Sequence, residues 1–206
     1  VYGIFSVLVL VNIRLCGASI QFPEQPALSP NGEQLYYSWN GDIWNVPTKG
    51  GLAKPLTQHP AVESDPKVSP DGDRLAFISN RSGSDQVYVI DLTSPSLKPT
   101  QLTRHTAGYT INDWYPDGES LLVSSKQDDH WRQSGRFFKL QAKPTLEAPV
   151  KLFNAYGSDG TVSPNGKQLL FNREGYRWWR KGYRGSKSAQ VWLYDVDKTT
   201  FQKLIH

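Results

Sequence analysis

The stretch "PKVSPDGDRLAF", Pro66–Phe77, decides the fold. In "SPDG", Pro presets φ at the first corner of a turn, Asp tolerates the next bend, and Gly accepts positive φ. The stretch therefore predicts a tight hairpin turn. The same turn recurs as "SPNG" at Ser29–Gly32, "YPDG" at Tyr115–Gly118 and "SPNG" at Ser163–Gly166. Its prolines stand at 30, 70, 116 and 164, a spacing of 40 to 48 residues.

The segments after the turns repeat as well. Leu35, Leu75, Leu121 and Leu169 each lie three residues after the turn Gly. Tyr37, Phe77, Val123 and Phe171 come two residues later, and a spacing of two places each pair on one face of a strand. A second strand reads "DIWNV", "QVYVID", "RFFKL" or "QVWLYD". A third reads "KPLT", "TQLT", "VKLF" or "FQKLI", and a short strand precedes each turn. Each unit thus holds four short antiparallel strands in about 40–50 residues, the period of a β-propeller blade. A β-sandwich offers no reason for four turns in phase. The fold expected is all-β, a propeller over 20–206 with blades near 25–57, 64–103, 109–153 and 157–206. Four blades form part of a six- or seven-bladed ring on this reading.

With the strands of a blade called a to d, the Pro-Asx-Gly turn joins a to b. Antiparallel pairing then puts the b–c and d–a loops together on the opposite rim. From the turn Gly to the aromatic of strand c, the distance grows: Gly32 to Trp44, Gly72 to Tyr88, Gly118 to Phe138 and Gly166 to Trp192 are 12, 16, 20 and 26 residues. The added length falls in the b–c loop, and insertions gathered on one rim mark a binding face.

The longest of these loops contains "YRWWRKGYRG", Tyr176–Gly185. Between Arg173 and Lys187, six basic residues face only Glu174, so this loop carries the whole excess of a chain whose net charge is +4. The remainder is near neutral, unlike the broad basic face of a nucleic-acid binder. Trp178, Trp179, Arg180, Lys181, Tyr183 and Arg184 are the candidate contact residues, because Arg forks grip carboxylates and Trp faces hold cations. His59 in "LTQH" and His105 in "LTRH" share the rim at equivalent repeat positions. They are read as part of the contact surface, not as metal ligands.

A hydrophobic content of 38% with 20% charged residues excludes a disordered chain. "VYGIFSVLVLV", Val1–Val11, followed by small residues, is read as a secretory signal remnant over 1–19. It is too short for a stable membrane span. Cys16 stands alone, so these residues form no internal disulfide. A nucleophile elbow, paired CxxC, HExxH and a phosphate loop are all missing from the sequence. "QDDH", Gln127–His130, is read as a solvated loop. No cofactor, metal or catalytic residue is expected here.

The pattern "P-x-[VL]-SP[DN]G-x-x-L" followed by "[DQ]-[IV]-[WY]" resembles the PD40 repeats of TolB and tricorn-protease propellers. "WWRKGYRGS" before "AQVWLYD" is similar to the N-terminal propeller of bacterial tricorn-like peptidases. The resemblance runs from Gln25 onward. It implies an exported serine peptidase of the tail-specific type, periplasmic or extracellular, whose catalytic residues lie in later domains. The propeller's partners would be peptide substrates or the parent chain's C-terminal domains, not nucleic acid. Two other readings remain open: a TolB-like protein-binding scaffold without enzyme activity, and the propeller of a prolyl-oligopeptidase-type hydrolase.

Overall fold

The computed structural model describes residues 22–128, 135–174, 182–185 and 188–205. The secretory segment expected over 1–19 lies outside them. Among the described residues there are sixteen strands, forming four antiparallel four-stranded sheets ordered as in the chain. The first holds β1 (Glu24–Leu28), β2 (Gln34–Trp39), β3 (Asp42–Pro47) and β4 (Lys54–Pro55). The second holds β5 (Glu63–Val68), β6 (Arg74–Ser79), β7 (Gln86–Asp91) and β8 (Thr100–Gln101). The third holds β9 (Thr110–Trp114), β10 (Ser120–Ser125), β11 (Arg136–Gln141) and β12 (Val150–Lys151). The fourth holds β13 (Ser158–Val162), β14 (Gln168–Arg173), β15 (Gln190–Asp195) and β16 (Thr200–Ile205). No helix among the described residues is long and apolar enough to cross a membrane.

Each Pro-Asx-Gly turn closes its a–b hairpin as the residue chemistry demands. Gly32, Gly72, Gly118 and Gly166 all have positive φ, and each N–H donates to the carbonyl three residues back. The turn serine does two jobs. The Ser29 hydroxyl donates to Asn31 Oδ1 at 2.7 Å and accepts from the Gln34 N–H at 2.9 Å. Ser163 does the same with Asn165 and Gln168. The third turn begins with Tyr115, which lacks that hydroxyl, so Asp117 Oδ1 accepts from both Glu119 and Ser120. Tyr115 instead packs its ring into the seam with the fourth sheet. Burial there pushes its phenol up to about 12, so it stays neutral under the Lys139 ammonium 4.4 Å from its centroid.

The sheets pack face to face in chain order. Tyr36 and Ile43 of the first meet Leu75, Phe77, Tyr88 and Ile90 of the second. The other face of the second, with Ala76, Ile78, Val87 and Val89, meets Tyr109, Ile111, Leu121, Val123 and Phe138 of the third. Leu122 and Phe137 then meet Leu169, Phe171 and Tyr194 of the fourth. The a strands lie against one another in sequence, β1 to β5 to β9 to β13, while the d strands make no comparable contact. The sheets therefore fan outward from their a strands, as propeller blades do.

Spacing by two did put Leu75 with Phe77, and Leu169 with Phe171, on one face. The central sheets, however, bury both faces of b and c, because each is sandwiched. Leu35 and Tyr37 are only half-buried: they occupy the face of the first sheet away from the second.

One backbone hydrogen bond recurs at every seam. The Glu63 N–H donates to Gly41 O at 2.8 Å, Tyr109 to Asp85 O at 2.8 Å, and Gly157 to Gly135 O at 3.1 Å. In each case the residue entering strand a of one sheet bonds the residue just before strand c of the previous sheet. At Gly157 the approach is so close that a Cβ would lie 2.6 Å from Phe171 Cδ2 and 2.8 Å from Asn172 O. Gly157→Ala should therefore destabilise the chain by about 1–3 kcal/mol. Urea denaturation checks this, and an unchanged midpoint would contradict the tight seam.

Candidate functional site

The b–c connections occupy 40–41, 80–85, 126–135 and 174–189, growing from two residues to sixteen. The d–a connections share their rim, because adjacent strands of each sheet are antiparallel. The seam bonds lie on this rim as well. Gly41, Asp85 and Gly135 end their b–c loops, so each bond pins the foot of a loop to the next sheet.

His59 and His105 play matching local parts. Each is exposed, and each Nδ1 accepts the N–H two residues on, from Ala61 at 3.0 Å and Ala107 at 3.1 Å. The preceding "LT" closes the d strand. Thr57 Oγ1 accepts from Ile43 N–H, and Thr103 Oγ1 from Val87 N–H, both at 2.9 Å and both buried. The third sheet has Leu152-Phe153 at this place. Phe153 packs on Phe137, Phe171, Tyr194 and Phe201, with centroids 4.6–5.9 Å away. The histidines thus order their own turns, and no contact gathers them into a common centre. Among the described residues, no group of three His, Cys, Asp or Glu side chains is placed to hold a metal ion.

Of the candidate contact residues in the long loop, Trp178, Trp179, Arg180 and Lys181 lie outside the described residues. Tyr183 is half-buried and Arg184 exposed. Tyr183 lies over Gly185, where any Cβ would collide with the phenol ring. In "QDDH", the Tyr109 hydroxyl donates to Gln127 Oε1 at 2.7 Å, and Asp128 pairs with Lys151 at 3.0 Å. Asp129 and His130 lie outside the described residues.

Two clusters on this rim escape the sequence reading. The first stands at the foot of the long loop. The guanidinium carbons of Arg136 and Arg173 lie 5.7 and 4.7 Å from the Tyr156 ring, and Arg173 also lies 5.6 Å from Trp192. The Tyr156 hydroxyl donates to Glu174 Oε1. Cationic forks over aromatic faces suit carboxylate recognition. The only signal in the sequence is that Arg173 and Arg136 stand at strand ends where other sheets carry Trp39, Ser79, Ser125 or Asp42, Gln86 and Gln190.

The second cluster joins the first two sheets. Glu63 is buried, its Oε1 paired with Arg81 Nη2. Arg81 in turn donates from Nε to Ser79 Oγ at 3.1 Å and stacks 4.8 Å from the Tyr88 centroid. Beside them, Gln25 Oε1 accepts from Ser38 Oγ and from the Asp65 N–H, linking the two a strands. Burial pushes the Asp65 carboxyl up, and Lys67, 3.5 Å away, draws it partly back.

Comparison with known proteins agrees with this geometry. The model of the tricorn protease N-terminal beta propeller domain matches residues 21–206. A tricorn protease homolog of Streptomyces coelicolor is 28% identical over 192 residues, covering 91% of this chain and 17% of its own length. The crystal structure of TolB from Acinetobacter baumannii superposes with a TM-score of 0.70 at 18% identity, over 90% of this chain and 44% of that one. The crystal structure of the tricorn protease gives a TM-score of 0.70 at 16% identity, over 90% of this chain and 18% of that one. The two structural likenesses show the fold. This chain spans less than a fifth of the length of the Streptomyces relative.

The turn role of the histidines can be measured. His105→Ala should cost about 0.5–1.5 kcal/mol, the worth of one local hydrogen bond. Thermal melting checks it; loss of the native fold would contradict a purely local role.

Proposed function

The chain belongs to the tricorn protease N-terminal β-propeller family, and from that premise we propose that it is the non-catalytic propeller of an exported tricorn-like serine peptidase. It guides or filters peptides and braces catalytic domains carried elsewhere in the parent chain. The observation that carries this reading is the asymmetry of the two rims. The a–b turns are nearly uniform, while the b–c loops lengthen from sheet to sheet and end in the basic-aromatic stretch. A rim that varies over a constant frame is where a repeat protein places recognition.

The chemistry at the foot of that loop supports peptide carboxylates as the group recognised. Arg136 and Arg173 flank Tyr156 there, and Arg184 is exposed nearby in sequence. Arg forks bind carboxylates bidentately, and partial burial against aromatic rings strengthens the pairing. The Trp178, Trp179, Arg180, Lys181 and Tyr183 positions extend the same composition. On this reading the secretory segment over 1–19 serves export, and catalysis belongs to other domains.

Two measurements test the proposal. The chain alone should show no peptide hydrolysis, and robust turnover would overturn the non-catalytic reading. Replacing Arg180, Lys181 and Arg184 together with Ala should weaken peptide capture or docking of the catalytic domains by at least tenfold, since loss of even one charged hydrogen bond costs about 1.5–3 kcal/mol. The fold should be spared. Unchanged capture and unchanged docking would remove the loop from the interaction surface.

A further inference from the structure

A cavity of about 370 Å³ opens on the b–c rim of the second sheet, between the loop 80–85 and the segment that follows β8. Its side chains are all polar: Ser82 and Ser84 from the loop, Gln86 and Gln101 from the strands, then Arg104, His105 and Thr106. No Asp or Glu lines it. The inner part of this set is spent on the fold. Gln86 is buried, and its Nε2 donates to Ser84 Oγ at 2.7 Å and to His105 O at 2.6 Å. Its Oε1 accepts from Thr103 Oγ1 at 2.8 Å and from the His105 N–H at 3.3 Å. Gln101 Nε2 donates to Ser82 Oγ at 3.1 Å and to Thr103 O at 2.8 Å. The walls are thus held by their own hydrogen bonds.

The outer part is a set of accessible donors. Arg104 is exposed and forms no ion pair among the described residues. His105 is exposed, and its Nδ1 accepts from the Ala107 N–H, so the neutral ring carries its proton on Nε2. Ser82 Oγ accepts from Gln101 and keeps its own proton for a ligand, as does the exposed Thr106 hydroxyl. The fold does not call for this set. In the first sheet Asp42 stands at the place of Gln86, and its Oδ1 accepts from the His59 N–H at 3.1 Å. Gln58 stands there at the place of Arg104, and the two-residue b–c loop supplies no serine wall. The second sheet has exchanged an acid for an amide and an amide for a guanidinium. One positive charge, several donors and no acid select a group that only accepts hydrogen bonds and carries a single negative charge.

We propose that this cavity binds a carboxylate, held by the Arg104 fork, with His105 Nε2–H and the Ser82 and Thr106 hydroxyls as further donors. In a peptide the group is either an acidic side chain or the C-terminal carboxylate. The biological role of the site rests on the reading of this rim as peptide-facing; its chemistry does not.

NMR titration of the full chain tests the inference. The probes are acetate, acetamide, inorganic phosphate, an N-acetyl tetrapeptide amide with one Glu, and a Glu- and Asp-free N-acetyl tetrapeptide with a free C-terminus. Acetate should move the amide signals of Ser82 and of residues 104–106, and acetamide should not. Arg104→Gln recreates the "LTQH" with which the first sheet already folds. It should weaken acetate by at least tenfold, and Ser82→Ala by a few-fold. Binding of the Glu peptide alone assigns the acidic side chain; binding of the free C-terminus alone assigns the α-carboxylate. Equal response to acetate and acetamide would overturn the proposal, as would full acetate affinity in folded Arg104→Gln. Saturation by phosphate at a tenfold lower concentration than acetate would overturn the carboxylate assignment. Should Arg104→Gln fail to fold by circular dichroism, unchanged acetate affinity in Ser82→Ala overturns the site instead. Acetate and peptide binding both independent of Arg104 would sink the site and leave the peptide-guiding function standing. Acetate bound through Arg104 with no peptide captured would do the opposite.

Discussion

The structure depends on one backbone hydrogen bond made three times, from Glu63 to Gly41, Tyr109 to Asp85 and Gly157 to Gly135. A sheet of four short strands cannot bury its own faces, so it is stable only against a neighbour. The apolar seams supply the driving force through area removed from water, but hydrophobic contact is not directional. The seam bond supplies direction: it fixes where each a strand starts relative to the previous c strand. Glu63 and Tyr109 are buried, so failing to make the bond would leave a buried N–H unpaired. The equivalent place in the first sheet is Pro23, which has no N–H to donate. The face beside it, with Leu35, Tyr37 and the Trp39–Trp44 pair, is only partly buried among the described residues.

The same bond sets the two rims apart in structure. On the a–b rim the turns repeat their serine and Asx network, and Arg74 ties the second sheet to the third by donating to Gly118 O at 2.7 Å and to Glu119 at 3.1 Å. These a–b turns have little room for variation. On the opposite rim the first three b–c loops are each anchored at their C-terminal foot by the seam, so residues can be added before the anchor without moving the blade. Their growth from two to ten residues is the consequence. Peptide guiding would then use a surface whose loops vary over a frame that stays constant.

Much of the fold was legible in the sequence, because turn chemistry is local. Pro, Asx and Gly at fixed offsets, with Leu three residues on, located every a–b hairpin and the strands around it. The contacts between sheets were not legible. The pairing of Leu75 with Phe77 could be read, but not that Ala76 and Ile78 are equally buried against the third sheet. Tyr115 looked like a variant turn residue; only its seam shows why a ring replaces serine. At the site, composition pointed to the long loop, while the Arg136–Tyr156–Arg173 stack joins residues spread over 37 positions and has no linear signature. Glu63 could have been suspected from its place in the repeat, where no other sheet carries an acid. Its burial with Arg81 is a fact of packing.

Amide hydrogen exchange resolved by residue measures the seam bond most directly. The N–H groups of Glu63, Tyr109 and Gly157 should exchange only through global unfolding, as slowly as the core amides of β6 and β10. Exchange at the rate of exposed loop amides such as Ala61 and Ala107, with β6 and β10 still protected, would contradict this, because the sheets would then fold without being locked to one another.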